Sequence, residues 1–191
     1  MGIADRKDRQ RAERETQIVT AARQIAESEG WNAVTIRRLA DEIEFSQPVL
    51  YSHFENRDAI VAAVALQGFK EIAAIMLKAA GKATRGPKVL TNVALAYLDF
   101  SIQQRALYDA MFVLPTSLLF AEEETKPELR TAFGTLAAIV APFNADVETA
   151  TETFWATLHG LATLERSARL RPGVRNDRIA LVVKGFVAAG K

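Results

Sequence analysis

The sequence predicts an all-α protein of about nine helices, with a small three-helix head at the N-terminus and a larger helical body behind it. Three observations carry that expectation. In segment after segment, apolar residues recur at the i, i+3, i+4, i+7 spacing that builds one helical face. Proline and glycine separate these segments at discrete points, with capping residues beside them. No run alternates apolar and polar residues as a half-buried strand would, and no internal repeat is visible. With 49% of its 191 residues apolar, the chain can bury a substantial core.

Residues 5–15 form a polar lead-in without an apolar stripe, in which Arg6, Lys7, Arg9, Arg11 and Arg14 are diluted by Asp5, Asp8, Glu13 and Glu15. Two alternatives fit it: an arm touching phosphates or the minor groove, or a solvated, partly disordered tail. A first helix follows, with Ile18, Ala21, Ala22, Ile25 and Ala26 on one face and Gly30 at its end. Trp31 is expected to pack under the head. Thr35 can cap a second helix whose stripe is Ile36, Leu39, Ala40 and Ile43. Residues 44–46 interrupt the pattern. Ser46 can cap a third helix, with Pro48 in its first turn, where a missing N–H costs little. Two short helices joined by a three-residue turn form a helix-turn-helix, whose second helix enters the DNA major groove.

Asn56 caps a long fourth helix from residue 58 to about 80, striped by Ile60, Val64, Ile72, Ile75, Met76 and Ala79. Residues 81–86 are the clearest breaker cluster. A fifth helix runs from Pro87 to about 104, and a short sixth covers 105–114, closed by Pro115. Residues 118–124 are a loop or a short helical turn. Thr125 and Glu128 have the spacing of a capping box, with Pro127 inside the first turn, for a seventh helix ending near 141 before Pro142. Asp146 can cap an eighth reaching about 168, and the ninth carries Ile179, Val182, Val183, Phe186 and Val187 on one stripe. The head is taken as residues 1–57 and the body as 58–191.

Composition narrows the chemistry. There is no cysteine, which rules out disulfides and thiolate metal sites and fits a reducing, cytoplasmic setting. No apolar run approaches the ~18 residues of a membrane span, so no membrane partner is expected. The net charge is +1, and residues 1–57 hold nine Lys/Arg against ten Asp/Glu. DNA binding must therefore rest on where the cations point. No metalloprotease, P-loop or nucleophile-elbow motif occurs, so an enzyme, a cofactor and a metal are not expected. Within the head, the Gln47 amide suits the N6 and N7 edge of adenine, and the Thr35 end of the second helix offers donors to a phosphate.

The run Leu50-Tyr51-Ser52-His53-Phe54, followed by Asn56-Arg57-Asp58, resembles the DNA-binding signature of the TetR/AcrR family of bacterial transcriptional regulators. The family usually has lysine where Arg57 stands, a difference that keeps the charge. With the first helix the resemblance covers about a third of the chain. It implies DNA contacts from Tyr51 and His53, for each of which simple packing is the alternative. The expected interface is then Thr35, Arg37, Ser46, Gln47, Pro48, Tyr51, His53 and Arg57.

A second resemblance lies at residues 154–162, where Trp155, His159 and Gly160 match the tryptophan-x-x-x-histidine-glycine element of one C-terminal class of these regulators. It implies that the last two helices pair with their copies in a homodimer, through Ala156, His159, Gly160, Val182 and Phe186. An intrachain contact is the alternative. For an effector pocket the candidates are Tyr97, Phe100, Tyr108, Met111, Phe112, Phe133 and Trp155, which favour an apolar or aromatic small molecule. The implied function is a ligand-responsive repressor on a palindromic operator of double-stranded DNA. The alternative is an effector-independent DNA-binding or architectural dimer.

Overall fold

The computed structural model describes residues 3–81, 86–120 and 122–190. Among them are nine α-helices, two short 3-10 turns and no strand. The helices are α1 (Ile3–Glu29), α2 (Ile36–Glu42), α3 (Gln47–His53), α4 (Arg57–Gly81), α5 (Lys88–Gln103), α6 (Arg105–Phe112), α7 (Pro127–Val140), α8 (Val147–Arg166) and α9 (Arg175–Ala189). The 3-10 turns are Trp31–Ala33 and Ala141–Phe143. Of the breaker cluster, residues 82–85 lie outside the described residues.

Several local expectations are met by visible chemistry. The Thr35 hydroxyl accepts the Arg38 N–H at 3.1 Å to cap α2, and Asn56 Oδ1 accepts the Ala59 N–H at 2.9 Å at the start of α4. Asp146 accepts from the Thr149 N–H at 3.3 Å to cap α8. Glu44 takes φ 56° in the turn between α2 and α3, a left-handed conformation a side chain rarely adopts. Other expectations are corrected. The lead-in is not a disordered tail, because α1 begins at Ile3 and runs straight through it. At α7 Lys126 is the N-cap residue, since Pro127 takes the first helical position and leaves Thr125 one residue outside. Ser46 occupies the N-cap position of α3 without a side-chain cap bond.

The chain divides into two compact units, Met1–Gly68 with Gln104–Glu124, and Phe69–Gln103 with Thr125–Lys191. This grouping differs from a division at residue 57. The first unit takes in the start of α4 and all of α6, for a reason visible in its hydrogen bonds. The Glu27 carboxylate accepts the N–H groups of Ala106 and Leu107 at 3.1 and 3.0 Å, two of the donors a helix start leaves unsatisfied. Arg23 donates to Gln104 Oε1 at 3.0 Å, and the buried Trp31 donates its indole N–H to the Ala106 carbonyl at 2.8 Å. Trp31 therefore does pack under the head, on the α6 side. Gly68 on α4 allows a close approach to α6, since a Cβ there would overlap Met111.

In the second unit α5 packs on α7, α8 and α9, burying Leu90, Val93, Tyr97, Leu98, Leu129, Leu136, Phe154, Leu158, Ile179 and Val183. The Phe154 and Phe186 rings lie 5.1 Å apart at a tilt, tying α8 to α9. Arg175 donates to Glu165 at 2.8 Å and to Asp99 at 2.5 Å, linking α9 to α8 and α5. Averaged over 18 residues, α4 has a mean hydropathy of 1.8, enough by length and composition to cross a membrane, although Gln67, Lys70 and Glu71 interrupt any continuous apolar run. More than half of that stretch (56%) is buried within the protein, as in the core helix of a folded domain.

Candidate nucleic-acid interface

The apolar side of the helix-turn-helix is anchored by Leu39, Ala40 and Leu50, all buried, while Ile43 and Phe54, expected in the core, are half-buried at its margin. Anchoring one face fixes which residues the other presents. Ser46, Gln47, Pro48, Tyr51 and Ser52 are exposed along α3, and Tyr51 is 54% exposed although it is a large aromatic. An aromatic so placed offers ring and hydroxyl together to a groove or a backbone. The Ser52 hydroxyl donates to the Val49 carbonyl at 2.6 Å and so is already engaged within the helix. Gln47, in the first turn, keeps its amide in solvent.

On α2 the two arginines diverge. Arg38 binds Glu42 and, at 3.2 Å, Glu29, and these carboxylates, Glu42 foremost, raise its pKa. Arg37 is 84% exposed, with Asp41 no nearer than 4.0 Å. A loose exposed pair of this kind is weak and screened by salt, so Arg37 can exchange its partner for a phosphate at little cost. The Thr35 hydroxyl sits exposed at the N-terminus of the same helix.

Two members of the expected set make contacts within the head. The His53 side chain is only 6% exposed, with Nδ1 3.4 Å from Glu15 Oε1 on α1. Burial alone would raise the Glu15 pKa, but the hydrogen bonds of Arg11 and His53 outweigh it and hold the carboxyl below its ordinary value. Arg57 donates Nε to the Val34 carbonyl at 2.8 Å and Nη2 to the Trp31 carbonyl at 2.7 Å. Its guanidinium also stands 6.0 Å from the Trp31 ring centroid. These bonds close the 3-10 turn that delivers the chain into α2, leaving Nη1, 3.7 Å from Asp58, as the remaining edge. A planar fork reaches two carbonyls at once, which a lysine ammonium does not do equally well.

The residues expected to line an effector pocket are divided between the two units. Tyr108, Met111 and Phe112 lie in the first unit, with the Tyr108 and Phe112 rings 4.9 Å apart. Tyr97, Phe100, Phe133 and Trp155 lie in the second, where Trp155 donates its indole N–H to the Tyr97 hydroxyl at 3.2 Å. Phe133 is 37% exposed. An open cleft of about 530 Å³ does occur in the first unit, lined by Thr20, Arg23, Gln24, Glu27, Ser28 and Gln67, none of which sequence reasoning singled out. Their polar, helix-surface character gave no periodic signal to find them by.

Of the residues expected at a dimer contact, Ala156 and Gly160 are exposed on α8, and a Cβ on Gly160 would meet nothing. Phe186 packs within its own chain on Phe154, and Val182 and His159 are half-buried. Burial, reinforced by the charge of Arg166, lowers the His159 pKa and keeps the ring neutral at pH 7. No cluster of His, Cys, Asp and Glu suited to a metal occurs among the described residues.

Comparison with known proteins places this geometry. Residues 18–64 match the family model of bacterial regulatory proteins of the tetR family, and residues 90–184 match the tetracyclin repressor-like C-terminal domain. Over 93 residues the chain is 32% identical to YobS of Bacillus subtilis (strain 168), an uncharacterized HTH-type transcriptional regulator. That match covers 49% of this chain and 48% of YobS, so the chain spans about half the length of this relative. Among solved structures, a protein of unknown function from Rhodococcus sp. RHA1 superposes with a TM-score of 0.76 at 21% identity, over 93% of this chain and 95% of that one. A TetR variant from Acinetobacter baumannii AYE in complex with minocycline superposes with a TM-score of 0.64 at 18% identity, over 90% of this chain and 93% of that one. With one model of the family on the helix-turn-helix and another on the helices that follow, the chain belongs to the TetR family of bacterial transcriptional regulators, DNA-binding proteins that are not enzymes.

Proposed function

We propose that this regulator is a repressor, released from a palindromic operator by a small apolar or aromatic effector and acting as a homodimer in the cytoplasm. The observation that carries the DNA side is the exposure of Gln47, Pro48 and Tyr51 on a helix whose opposite face is anchored by Leu50. Gln47 reads a base edge, Tyr51 and Arg37 engage the backbone, and the N-terminus of α2 with Thr35 receives a phosphate. Two such heads about one DNA turn apart, roughly 34–36 Å, demand an operator with matching two-fold symmetry.

Dimerisation is supported by an unpartnered strip on the last two helices. On α8, Ala156, Gly160 and Leu164 follow one another at helical spacing, all exposed. Leu181, Gly185 and Ala188 do the same on α9, with Leu181 73% exposed. Small residues between leucines let a second helix approach closely. The effector reading is supported by the aromatic character of the body and by the minocycline complex of a neighbour that shares the fold. The close packing of Tyr108 and Met111 favours the second reading, a dimer that needs no effector.

The test is fluorescence anisotropy on the protein's own upstream intergenic DNA across a salt series. The proposal expects saturable binding, poorly competed by random DNA, with a palindromic footprint, lost in Gln47→Ala/Tyr51→Ala. A library of aromatic and apolar compounds should contain members that release the DNA. If none does while binding stays specific, the effector-independent dimer stands instead.

A further inference from the structure

The face of α1 that buries into the head continues, without a break in phase, far beyond it. At 100° per residue, Lys7, Arg11, Arg14, Ile18, Ala22 and Ile25 fall on one arc of about 80°. Ile18, Ala22 and Ile25 are buried. N-terminal to Ile18 the same stripe turns cationic, and every side chain from Asp5 to Gln17 is exposed except Glu15, which is half-buried. Asp5, Arg6, Asp8, Arg9 and Glu13 fall outside the arc. Residues 5–17 carry α1 about 20 Å past its first core contact.

The direction of this projection is fixed by one contact. Glu15, one turn beyond Arg11 on the edge of the stripe, meets His53 in the last turn of α3. The row Lys7, Arg11, Glu15 therefore runs along the side of α1 that faces α3, with Arg14 beside it. Cations near a helix N-terminus oppose the helix dipole, which favours acids there, so this placement adds nothing to the stability of α1 itself. Exposed cations with no core contact, continuous with a DNA-facing helix, are complementary to a polyphosphate backbone.

We propose that the projecting start of α1 is a second DNA-contacting element, in which Lys7, Arg11 and Arg14 bind the phosphate backbone of duplex DNA beside the base pairs read by α3. The proposal rests on the DNA-binding role of the helix-turn-helix and adds to it a rigid helical arm, phased by the Glu15–His53 contact. The Arg11–Glu15 pair, 2.9 Å apart and exposed, opens as Arg11 transfers to a phosphate.

The experiment compares three proteins on a duplex of about 40 base pairs that the wild type selects from a random-sequence pool, long enough to extend past both heads. They are the wild type, Lys7→Gln/Arg14→Gln, and Gln47→Ala/Tyr51→Ala. Glutamine keeps helix propensity, and circular dichroism checks that α1 is intact. The arm variant should lose about tenfold or more in affinity near 150 mM salt, and the slope of log K against log salt should fall by about 0.9 for each phosphate contact removed. Sequence preference should not change. An arm variant matching the wild type in affinity and slope, while Gln47→Ala/Tyr51→Ala collapses, overturns the arm and leaves the helix-turn-helix reading standing. If neither variant weakens binding, or no duplex is selected, that reading fails and the arm fails with it.

Discussion

The two compact units hold themselves together differently. In the first, long-range polar tethers join elements far apart in sequence. Glu27 and Trp31 bind the start of α6, and Arg57 binds the carbonyls of the 3-10 turn. In the second, helices meet mainly through apolar faces and aromatic pairs such as Phe154 and Phe186. A recognition helix must keep one side bare, so little apolar area is left to fix its orientation. Directional hydrogen bonds between side chains and backbone supply what packing cannot. The body faces no such constraint.

The comparison breaks most readily at Trp31. Replacing it with alanine removes a buried indole and its bond to α6, and we expect a loss of about 3–5 kcal/mol in urea unfolding. Arg57→Ala should come next, costing about 1–2 kcal/mol for two charge-assisted bonds at a half-exposed site, with Arg57→Lys recovering only part. In the body, Gly160→Leu should leave stability within about 0.5 kcal/mol, because the position is exposed and a Cβ there meets nothing, yet shift the protein toward monomer in sedimentation velocity. An unchanged sedimentation coefficient would place the dimer contact elsewhere.

The smallest effect concerns pH. The folded-state pKa of Glu15 is lowered, so its contribution to stability is present above the ordinary carboxylate value and is lost as pH falls through the folded one. Glu15→Gln should therefore lower stability by a small, constant amount above about pH 5 and converge on the wild type as pH falls, which flattens the acid limb of the profile. A variant whose acid limb matches the wild type would remove Glu15 from the account.

Much of this architecture was legible because it is local. Helix faces follow from spacing, and the caps at Thr35, Asn56 and Asp146 involve atoms three residues apart. What escaped depends on distance in sequence. Nothing in the run around His53 indicates that Glu15, 38 residues earlier, will cover it, or that Arg57 will turn back to Trp31 and Val34. The lead-in left an arm and a tail both open because it lacks apolar residues, yet it continues a helix already nucleated by its buried half. At α7 the Thr125–Glu128 spacing put the cap one residue early, because Pro127 takes the first helical position and makes Lys126 the N-cap. The pocket set was not separable from the core by composition, since Tyr97 and Tyr108 are as buried as any leucine around them.

The central claim is that polar residues of the head divide into those that hold the fold and those that meet DNA. The most direct measurement sets unfolding free energy beside operator affinity for Arg57→Ala and Tyr51→Ala. Arg57→Ala should lose stability, and the 54% exposed Tyr51 should lose at least tenfold in affinity with stability changed by less than about 0.5 kcal/mol. If Tyr51→Ala unfolds the head while binding by the folded fraction is unchanged, or Arg57→Ala weakens only DNA binding, the division is wrong.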